Sequence, residues 1–353
     1  MTLQATAEHK PSRALELLPT GGGGTRFGVH FIMRWWNCPM FWFNAVVRPH
    51  PTKGGWGCRP SETASPLFVG GLVHTFLENW YRSLHETGKP NLDTALEAAW
   101  VQAQQRKNEL KDQDVFDKDW ALIEKVCRKY DDYYGPGGLS PERVKVAVDN
   151  KGEPLIEREF EIDLGYADYV FTCKLDLVVE HEGFMRPMEH KTSAASMLGS
   201  LKARVKMDLQ PTAELYVLKA LFPNKEIDSA IINVLVKDRS AKRLAQGDPE
   251  FVREQVTKRG EDFVKFRTDI VQTLENIEES LSRYLELVKT EGVDSAARKV
   301  FTQYRHSCTG KFGRNCDYYG PCLAVGREET MFRAGFEPRA KDKQFVEEES
   351  LGD

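Results

Sequence analysis

Helical periodicity dominates the first half of the chain. Over residues 68–85, apolar residues recur at the i, i+3, i+4 spacing that places them on one face of a helix. They are Val69, Leu72, Val73, Phe76, Leu77 and Trp80. The helical pattern continues over residues 91–134 and meets the cluster Gly135-Pro136-Gly137-Gly138, which is a strong helix breaker. The pattern therefore predicts a helical region that ends near residue 135.

Strand patterns replace the helical pattern after residue 140. Residues 155–164 alternate between apolar and polar side chains, and residues 169–180 are rich in β-branched and aromatic side chains. Residues 181–183, His-Glu-Gly, can form a turn from which residues 184–191 return as the partner strand. We therefore predict one strand followed by a β-hairpin.

The remaining elements complete an α/β pattern. A helix is predicted over residues 208–221, with Pro211 tolerated in its first turn, and an apolar, β-branched strand over residues 227–237. Residues 249–290 have the periodicity of a long helical region with charged faces. This order of elements predicts an α/β fold with a small mixed central sheet flanked by helices. The order is helices, three strands, a helix, a strand and added helices.

The same patterns divide the chain into five segments. A flexible leader over residues 1–24 ends in four glycines, and a flexible tail is predicted over residues 331–353, because neither has apolar periodicity. Between them we predict an N-terminal helical region (25–140), a mixed α/β core (141–245) and a second helical region (246–330).

Composition is that of a globular protein in water. Hydrophobic residues make up 41% and charged residues 29%, and no stretch approaches the roughly 18 apolar residues of a membrane span. The first residues lack the apolar segment of a secretory signal, so we expect a cytoplasmic protein without membrane contact. Lys and Arg total 49 against 53 Asp and Glu, a net charge of −4. Because the charge is balanced, nucleic-acid binding would require a local basic groove and metal ions.

The predicted hairpin carries the residues with the clearest chemistry. Asp176 lies near the end of one strand, and Glu189 and Lys191 share a face of the next, because side chains two apart in a strand point the same way. Two converging carboxylates suit Mg²⁺ or Mn²⁺, and a lysine beside them can orient a water or stabilise charge on a phosphate. Together these groups supply metal-assisted phosphodiester hydrolysis. The alternative is a polar hairpin edge exposed to water.

The E-x-K triplet is weak evidence by itself. A second copy at residues 109–111 lies in a polar helical stretch and is interpreted as a solvated helix face. His74 adds a second indication, because it lies on the first predicted helix but off its apolar stripe. It is either a surface histidine or a metal ligand, and the second role requires Asp176 and Glu189 nearby in space.

The cysteines point to a metal or a cofactor. Seven cysteines are too few for a disulfide scaffold in a chain of 353 residues. Cys308, Cys316 and Cys322 have the spacing C-x7-C-x5-C, and Cys38 lies far upstream. Zinc fingers and ribbons usually contain C-x2-C knuckles, which this chain lacks. Three late cysteines and one early one suit an iron–sulfur cluster that ties the chain ends together, and the alternative is buried free thiols.

Neighbouring aromatic residues could shield such a cluster from water. They are Trp35, Trp36, Phe41, Trp42, Phe43, Tyr318 and Tyr319. Cys58 and His306 are rival ligands, whereas Cys127 and Cys173 lie in patterns typical of core residues.

Five motifs in this order resemble the PD-(D/E)xK nuclease superfamily. The similar branch is that of RecB-like exonucleases with an iron–sulfur cluster, which includes CRISPR-adaptation nucleases and phage-encoded exonucleases. The motifs are Cys38-Pro39-Met40-Phe41-Trp42, Gly70 to His74, Asp176 with Glu189 and Lys191, Gln210 at a helix start, and the three late cysteines. Two features depart from the family pattern: Glu214 replaces the usual tyrosine four residues after Gln210, and the first late cysteine spacing is x7 rather than x2.

The resemblance implies a restriction-endonuclease-like nuclease core over residues 141–245, with added helical and iron–sulfur elements. It implies that Mg²⁺ or Mn²⁺ is bound by His74, Asp176, Glu189 and the carbonyl of His190. The catalytic residues that it implies are Asp176, Glu189, Lys191 and Gln210. Lys191 would be the catalytic lysine, and Gln210 would position the lysine or the DNA backbone.

The resemblance also implies a structural [4Fe-4S] cluster, with zinc as the less favoured metal. Its ligands would be Cys38, Cys308, Cys316 and Cys322.

We therefore expect a DNA exonuclease that acts on free ends or single strands in repair or recombination. It would work in the cytoplasm of a bacterial or phage-infected cell, with recombination or helicase proteins as partners. Basic residues that could follow the strand, unless they are simply solvated, are Lys202, Arg204, Lys206, Arg239, Lys242 and Arg243. Two other functions stay open: a non-catalytic DNA-binding accessory subunit, and a zinc-stabilised binding protein.

Overall fold

A computed structural model describes residues 28–140, 142–166, 169–237, 251–309 and 315–340. Its helices are α1 (Val29–Asn37), α2 (Pro39–Val46), α3 (Ser65–Thr87), α4 (Leu92–Arg106), α5 (Gln113–Tyr134), α6 (Leu198–Val205), α7 (Leu209–Leu221), α8 (Gly260–Glu291), α9 (Val293–Val300), α10 (Tyr319–Leu323) and α11 (Glu328–Gly335). Its strands are β1 (Trp56–Pro60), β2 (Lys145–Val146), β3 (Ile156–Asp163), β4 (Val170–His181), β5 (Phe184–Ser193), β6 (Ser229–Val236), β7 (Phe251–Thr257) and β8 (Phe336–Ala340). None of the described helices is both long and apolar enough to cross a membrane.

The described residues form two compact units. The first unit takes its residues from Met1–Ser61, Glu161–Thr172 and Arg267–Asp353, and the second from Glu62–Phe160 and Cys173–Phe266. Each unit is therefore assembled from separate segments of the chain.

Helix α3 is central to the second unit. It begins with Pro66 in its first turn and ends before Gly88, whose φ of 76° is left-handed. All six residues of the predicted apolar stripe are buried in a core shared with α4, α5 and the sheet. The predicted helix over residues 68–85 is therefore confirmed, and the observed helix extends beyond both of its predicted ends. Helix α5 ends at Tyr134, directly before the predicted breaker.

The sheet of the second unit is mixed. Its strand order is β2-β4-β5-β6-β7, with β3 also paired to β4. Strands β5 and β6 are parallel, and the ladders β2–β4, β4–β5 and β6–β7 are antiparallel. The parallel pair requires a crossover, which α6 and α7 supply. This architecture confirms the predicted α/β fold with a central mixed sheet flanked by helices, and it agrees with a restriction-endonuclease-like core.

Strands β4 and β5 form the predicted hairpin. The loop consists of residues 182–183, whose φ angles of 52° and 86° are both left-handed, as in the turns that favour tight hairpins. Leu177 pairs with Met188, and the next residues toward the open end of the hairpin are Asp176 and Glu189. The hairpin therefore sets the two carboxylates side by side.

The helix predicted over residues 249–290 is wrong at its start. Residues Phe251–Thr257 form β7, which pairs antiparallel with β6, and the long helix begins only at Gly260. Phe251 and Val256 are buried, and the charged Arg253 between them has a side chain only 6% exposed, in a strand at the end of the described sheet. A short edge strand in which a charged residue points inward has no clear apolar alternation, so its pattern merges with that of the helix behind it.

The first unit joins the two ends of the chain. Strands β1 and β8 pair antiparallel, with Cys58 opposite Pro338. Gly57 has a φ of 60°, and a Cβ at this position would overlap the carbonyl of Ala45, so β1 can approach α2 only with glycine there. Tyr318 and Phe332 are buried with Cys58 in a small core.

The predicted flexible tail differs from the structure over its first ten residues. Residues 331–340 form the end of α11 and the whole of β8, and Phe332 and Phe336 anchor them. Two aromatic residues in a charged segment are too sparse to show periodicity, so no local pattern predicts these elements. Residues 1–24 and 341–353 lie outside the described residues.

Candidate active site

Four elements of the second unit supply the predicted site residues. His74 comes from α3, Asp176 from β4, Glu189 and Lys191 from β5, and Gln210 from α7. The backbone N–H of His190 donates to Asp176 Oδ2 at 2.9 Å, so this carboxylate is fastened to the neighbouring strand.

The ring of His74 contacts both sides of the hairpin. Its Nε2 lies 3.0 Å from the carbonyl oxygen of His190, and its Nδ1 lies 3.4 Å from Asp176 Oδ2. Burial alone would lower the pKa of His74, but Asp176 and Glu157 beside the ring raise it well above its ordinary value. The structure therefore brings together an imidazole, a carboxylate and a backbone carbonyl from positions far apart in the sequence.

Asp176 and Glu189 are buried together and differ in their electrostatics. Burial and the neighbouring charge of Glu189 raise the pKa of Asp176 above its ordinary value. Burial would also raise the pKa of Glu189, but Lys191 lowers it below its ordinary value. The pKa values of the two carboxyl groups are therefore pushed apart, and the lysine two residues later holds Glu189 in its ionised form.

Lys191 links Glu189 to helix α7. Its Nζ donates to Glu189 Oε1 in a short hydrogen bond and to Gln210 Oε1 at 2.9 Å. Burial by itself lowers the pKa of Lys191, but Glu189 raises it above its ordinary value, so the ammonium form is retained. Gln210 thus fixes the direction of the lysine, and Asp208 caps the start of α7 by accepting from the Gln210 N–H.

The side chain of His190 points away from the carboxylates, as strand alternation requires. Its ring stacks on Tyr81 with the centroids 5.7 Å apart, and Nδ1 lies 3.0 Å from Asn233 Nδ2. Burial and the positive charge of the neighbouring His74 ring lower the pKa of His190 well below its ordinary value. His190 therefore faces the carboxylates only through its backbone N–H and carbonyl.

Glu157 is a residue of the site that the sequence analysis missed. It lies on β3 with a left-handed φ of 50°, and its side chain is only 14% exposed. Its Oε1 lies 3.9 Å from His74 Nδ1, and its Oε2 accepts from Lys174 Nζ at 2.5 Å. One ligand atom each of His74, Glu157 and Asp176 lies within 4.8 Å of the other two. Glu189 adjoins Asp176 but is outside this group.

Glu214 is a second residue that belongs beside the site. It lies one helical turn after Gln210 on α7 and is 1% exposed; no donor faces its carboxyl oxygens among the described residues, and its protonated form hydrogen-bonds to the Glu189 carboxylate. Burial and the charge of Glu189 raise its pKa well above the ordinary value. The spacing of four from Gln210 was the available signal, since i and i+4 share a helix face.

The chemistry of these donors fits a hard divalent cation. Carboxylate and carbonyl oxygens with one imidazole are a ligand set that suits Mg²⁺ or Mn²⁺. Glu189 is 3% exposed, and the group beside it other than Lys191 that can hydrogen-bond to its carboxylate is the carboxyl of Glu214. Two buried carboxyl groups side by side are costly unless a proton or a cation lies between them.

The second E-x-K triplet has no such surroundings. Glu109 accepts hydrogen bonds from Arg106 and Thr63, while Lys111 is exposed just after a short 3₁₀ turn. Glu109 and Lys111 are thus polar residues on either side of the buried Leu110, although not on a regular α-helix as expected.

The four predicted cluster cysteines meet in the first unit. Cys38, Cys308, Cys316 and Cys322 line one recess with about 280 Å³ of empty space, together with Phe41 and Tyr318. The backbone N–H groups of Tyr304 and Tyr318 donate to the sulfurs of Cys38 and Cys316, each at 3.4 Å. Among the described residues, no three of these sulfur atoms lie within 4.8 Å of one another.

The other cysteines stay outside this recess. Cys58 is fully buried on β1, where burial raises its pKa to about 12. Neither Cys58 nor His306 is among the described residues that line the recess, and the ring of His306 stacks on Tyr304. Cys127 and Cys173 are buried in the second unit, as expected of core residues.

Basic residues near the sheet are partly paired. Lys202 of α6 and Lys206 directly after it lie 3.4 and 3.9 Å from the carboxylate of Glu254, while Arg204 is exposed. Arg239, Lys242 and Arg243 lie outside the described residues.

Comparison with known proteins identifies the family. A family model described as the PD-(D/E)XK nuclease superfamily matches residues 36–322, which include the acidic residues and all four recess cysteines. No curated protein matches the chain. Nucleases of this superfamily typically use Mg²⁺ or Mn²⁺, and the family points to DNA as substrate. The match covers most of the sequence, so the chain belongs to the PD-(D/E)XK nuclease superfamily, a class of metal-dependent nucleases.

Proposed function

We propose that this protein is a RecB-like DNA exonuclease with a divalent-metal active site and an iron–sulfur cluster. The observation that carries the proposal is the position of the His74 ring, 3.4 Å from the Asp176 carboxylate and 3.0 Å from the His190 carbonyl. This position is expected of a metal ligand, whereas a surface histidine would direct its ring toward water.

The residues that would hold the divalent metal are His74, Asp176, Glu189 and the carbonyl of His190. Mg²⁺ or Mn²⁺ bound there would polarise a phosphate oxygen and lower the pKa of a bound water. The protein keeps these ligands in place before binding, because Asp176 is fixed by the His190 N–H and Glu189 is fixed by Lys191. Preorganised ligands of this kind need little rearrangement during the reaction.

Lys191 would be the catalytic lysine. It is held as an ammonium between Glu189 and Gln210, so its charge is directed toward the site where the phosphate would lie. A cation at that position can stabilise the negative charge that develops on the phosphate or orient the attacking water. Gln210 would act through the lysine as a positioning residue.

The four recess cysteines would bind a [4Fe-4S] cluster. Four sulfurs around one recess, with aromatic walls and N–H donors to sulfur, are the surroundings that such clusters have. A tetrahedral zinc ion with Zn–S bonds of about 2.3 Å would hold its sulfurs only about 3.8 Å apart. Among the described residues no three of these sulfurs lie within 4.8 Å of one another, which favours the larger cluster over zinc.

The substrate would be single-stranded DNA or DNA with free ends. Arg204 on α6 and Lys206 directly after it are exposed and could contact the phosphate backbone. The RecB-like assignment implies that the protein cleaves DNA in repair or recombination, together with helicase or recombination proteins.

A cleavage assay tests the nuclease assignment. DNA labelled at its 5′ or 3′ end, single- and double-stranded, is incubated with Mn²⁺ and either wild-type protein or Lys191→Ala. We expect wild type to release end-labelled products and the variant to be inactive. Lys111→Ala is the matched control, because it removes the lysine of the other E-x-K triplet and should stay active. Equal activity of wild type and Lys191→Ala would refute the assignment and favour a non-catalytic DNA-binding subunit.

The cluster has its own test. Anaerobically purified protein should be brown, with broad absorption into the visible range and bound iron and sulfide. Cys308→Ala should lose the colour, whereas Cys127→Ala, which removes a cysteine from the other unit, should keep it. Colourless wild-type protein with stoichiometric zinc would instead identify a zinc-stabilised protein.

A further inference from the structure

Strand β7 directs a charged side chain into the interior of the second unit. Arg253 lies opposite Asn233 of β6 in the antiparallel ladder, and its side chain is only 6% exposed. Its guanidinium carbon lies 3.8 Å from the centre of the Tyr134 ring, and Glu142 Oε1 lies 3.4 Å from Nη1. Burial of a cation is costly unless polar groups replace its water, so the acceptors around Arg253 account for its position.

Three acceptors meet the guanidinium of Arg253. Its Nη2 donates to the hydroxyls of Tyr81 and Tyr130 at 3.1 and 3.4 Å, and its Nε donates to Asn233 Oδ1 at 3.4 Å. A guanidinium can only donate hydrogen bonds, so each of these three groups must accept. The amide of Asn233 therefore keeps its oxygen toward Arg253 and its NH₂ group away from it.

The NH₂ group of Asn233 carries this direction to the hairpin. It lies 3.1 Å from the hydroxyl of Tyr130 and 3.0 Å from Nδ1 of His190. Because an amide NH₂ group can only donate, Nδ1 of His190 must accept, and the proton of the neutral imidazole lies on Nε2. The buried arginine thus selects the tautomer of a histidine that it does not touch.

The two tyrosines complete the network. Tyr130 accepts from both Asn233 and Arg253. Its own proton is therefore directed to the hydroxyl of Tyr81, which is 2.7 Å away. The ring of Tyr81 stacks on the ring of His190, with 12° between the two planes. The imidazole is thus held at its edge by an amide and on its face by an aromatic ring.

The backbone of His190 connects this network to the acidic site. Its N–H donates to Asp176 Oδ2 at 2.9 Å, and its carbonyl oxygen lies 3.0 Å from His74 Nε2. Because the ring and the backbone of one residue share a Cα atom, a ring that turned or shifted would move the peptide groups that these two side chains contact.

We propose that Arg253 is a positioning residue of the acidic site. Through Asn233 and the two tyrosines it holds the His190 ring in one tautomer and one orientation. It thereby fixes the N–H that His190 presents to Asp176 and the carbonyl that it presents to the divalent metal. This inference rests on the proposed nuclease function. An inward-pointing charge can also protect an edge strand from pairing with other chains, but that purpose requires no particular direction of hydrogen bonds.

Binding of Mn²⁺ to the whole protein without DNA, measured by titration calorimetry, tests the inference. Arg253→Met should raise the dissociation constant by about tenfold or more, because groups that orient metal ligands are typically worth about 10- to 100-fold. At a limiting Mn²⁺ concentration, kcat/KM for cleavage of labelled DNA should fall with it.

Arg186→Met is the matched control. Arg186 is another buried arginine of the same sheet, with a side chain 3% exposed, and its Nε and Nη2 donate to the carboxylate of Asp228. Its loss should lower the free energy of unfolding and leave the Mn²⁺ dissociation constant unchanged.

Asn233→Asp separates the direction of the hydrogen bonds from stability. The aspartate keeps the shape of the side chain and can still accept from Arg253, but its carboxylate cannot donate to His190 Nδ1. The Mn²⁺ dissociation constant should again rise by about tenfold. The ¹⁵N spectrum of histidine-labelled protein should lose the unprotonated Nδ1 signal of His190, which is assigned by its absence from His190→Phe. This variant decides the question if Arg253→Met does not fold.

The outcomes separate this inference from the proposed function. Folded Arg253→Met or Asn233→Asp protein that binds Mn²⁺ as tightly as wild type would overturn the positioning role and leave the nuclease assignment intact. An equal loss of Mn²⁺ affinity in Arg186→Met would also overturn it, because the effect would then follow stability alone. Wild-type protein that neither binds Mn²⁺ nor cleaves DNA would refute the nuclease assignment itself.

Discussion

The acidic residues of the second unit and the recess cysteines of the first unit are held in different ways. In the acidic site the groups are tied to one another: the His190 N–H holds Asp176, and Lys191 joins Glu189 to Gln210. In the recess, the sulfurs of Cys38 and Cys316 accept backbone hydrogen bonds of 3.4 Å, an ordinary length for a sulfur acceptor. The acidic side chains are thus held largely by one another, whereas these thiols are held by the backbone around them.

The two sites also differ in the protonation of their side chains. In the acidic site a lysine lowers the pKa of Glu189, so a charged ligand exists before any cation arrives. In the recess burial raises the pKa of Cys316 to about 11 and that of Cys322 to about 12, so their thiols are neutral at ordinary pH. Metal binding to thiols must release these protons, which couples loading of the recess to pH.

The largest effect is expected for Asp176→Asn. This substitution removes the carboxylate shared by the ligand set, and DNA cleavage should fall by more than about 100-fold, since even indirect support of a metal ligand is worth 10- to 100-fold. The thermal unfolding temperature without metal should not fall, because the change relieves repulsion with Glu189. Loss of folding along with activity would contradict the idea that this site is fixed without its ion.

A smaller effect is expected for Asn233→Leu, which removes the buried partner of two groups. Asn233 Nδ2 lies 3.0 Å from His190 Nδ1 and donates to the Tyr130 hydroxyl at 3.1 Å. Leaving these polar atoms unpaired should lower the free energy of unfolding by about 1–3 kcal/mol in urea titrations. An unchanged free energy of unfolding would mean that the hydrogen bonds of Asn233 do not stabilise the sheet behind the acidic site.

The third prediction concerns Cys58, the buried thiol that does not line the recess. Its pKa is raised to about 12, so the folded state keeps a proton that the unfolded chain loses above pH 9. Stability from this group is therefore complete below about pH 9 and decreases as pH rises, by about 1 kcal/mol at pH 10.

Urea unfolding of wild type and Cys58→Ala at about pH 8 and pH 10 measures this contribution. The difference between their unfolding free energies should shrink by about 1 kcal/mol at the higher pH. Cys58→Ala should also retain the iron that Cys308→Ala loses. A difference that does not change with pH would contradict the burial of this thiol.

The smallest effect is expected at the hairpin loop. Glu182 adopts a φ of 52° before Gly183, a conformation that asparagine tolerates better than glutamate. Glu182→Asn should raise the free energy of unfolding by about 0.5 kcal/mol or more, offset slightly by the loss of the Glu182–Arg186 contact. Urea unfolding would detect the change, and a lowered stability would show that the contact matters more than the turn.

Local patterns predicted the elements that carry the acidic site. The apolar stripe of α3, the hairpin of β4 and β5, and the start of α7 at Asp208 all depend on neighbours within a few residues, and all appear in the structure. The meeting of His74 with Asp176 could be proposed only through the family resemblance, because nothing local determines which helix packs on the hairpin.

Other features depend on contacts that no local pattern records. Glu157 lies in a strand of alternating charges, where nothing distinguishes it from Glu159, and only its left-handed backbone and its packing single it out. Strand β7 was assigned to a helix because its charges hide the alternation. Strand β8 forms because Phe332 and Phe336 find a core built from the other end of the chain.

The hydrogen bond between Tyr304 and Cys38 affects how the protein is made. Because the two residues are 266 positions apart, the thiol recess cannot close until residue 304 has left the ribosome. The second unit, by contrast, takes its residues from Glu62–Phe160 and Cys173–Phe266, so its acidic site can form while synthesis continues. Loading of the proposed cluster would then follow the formation of the acidic site.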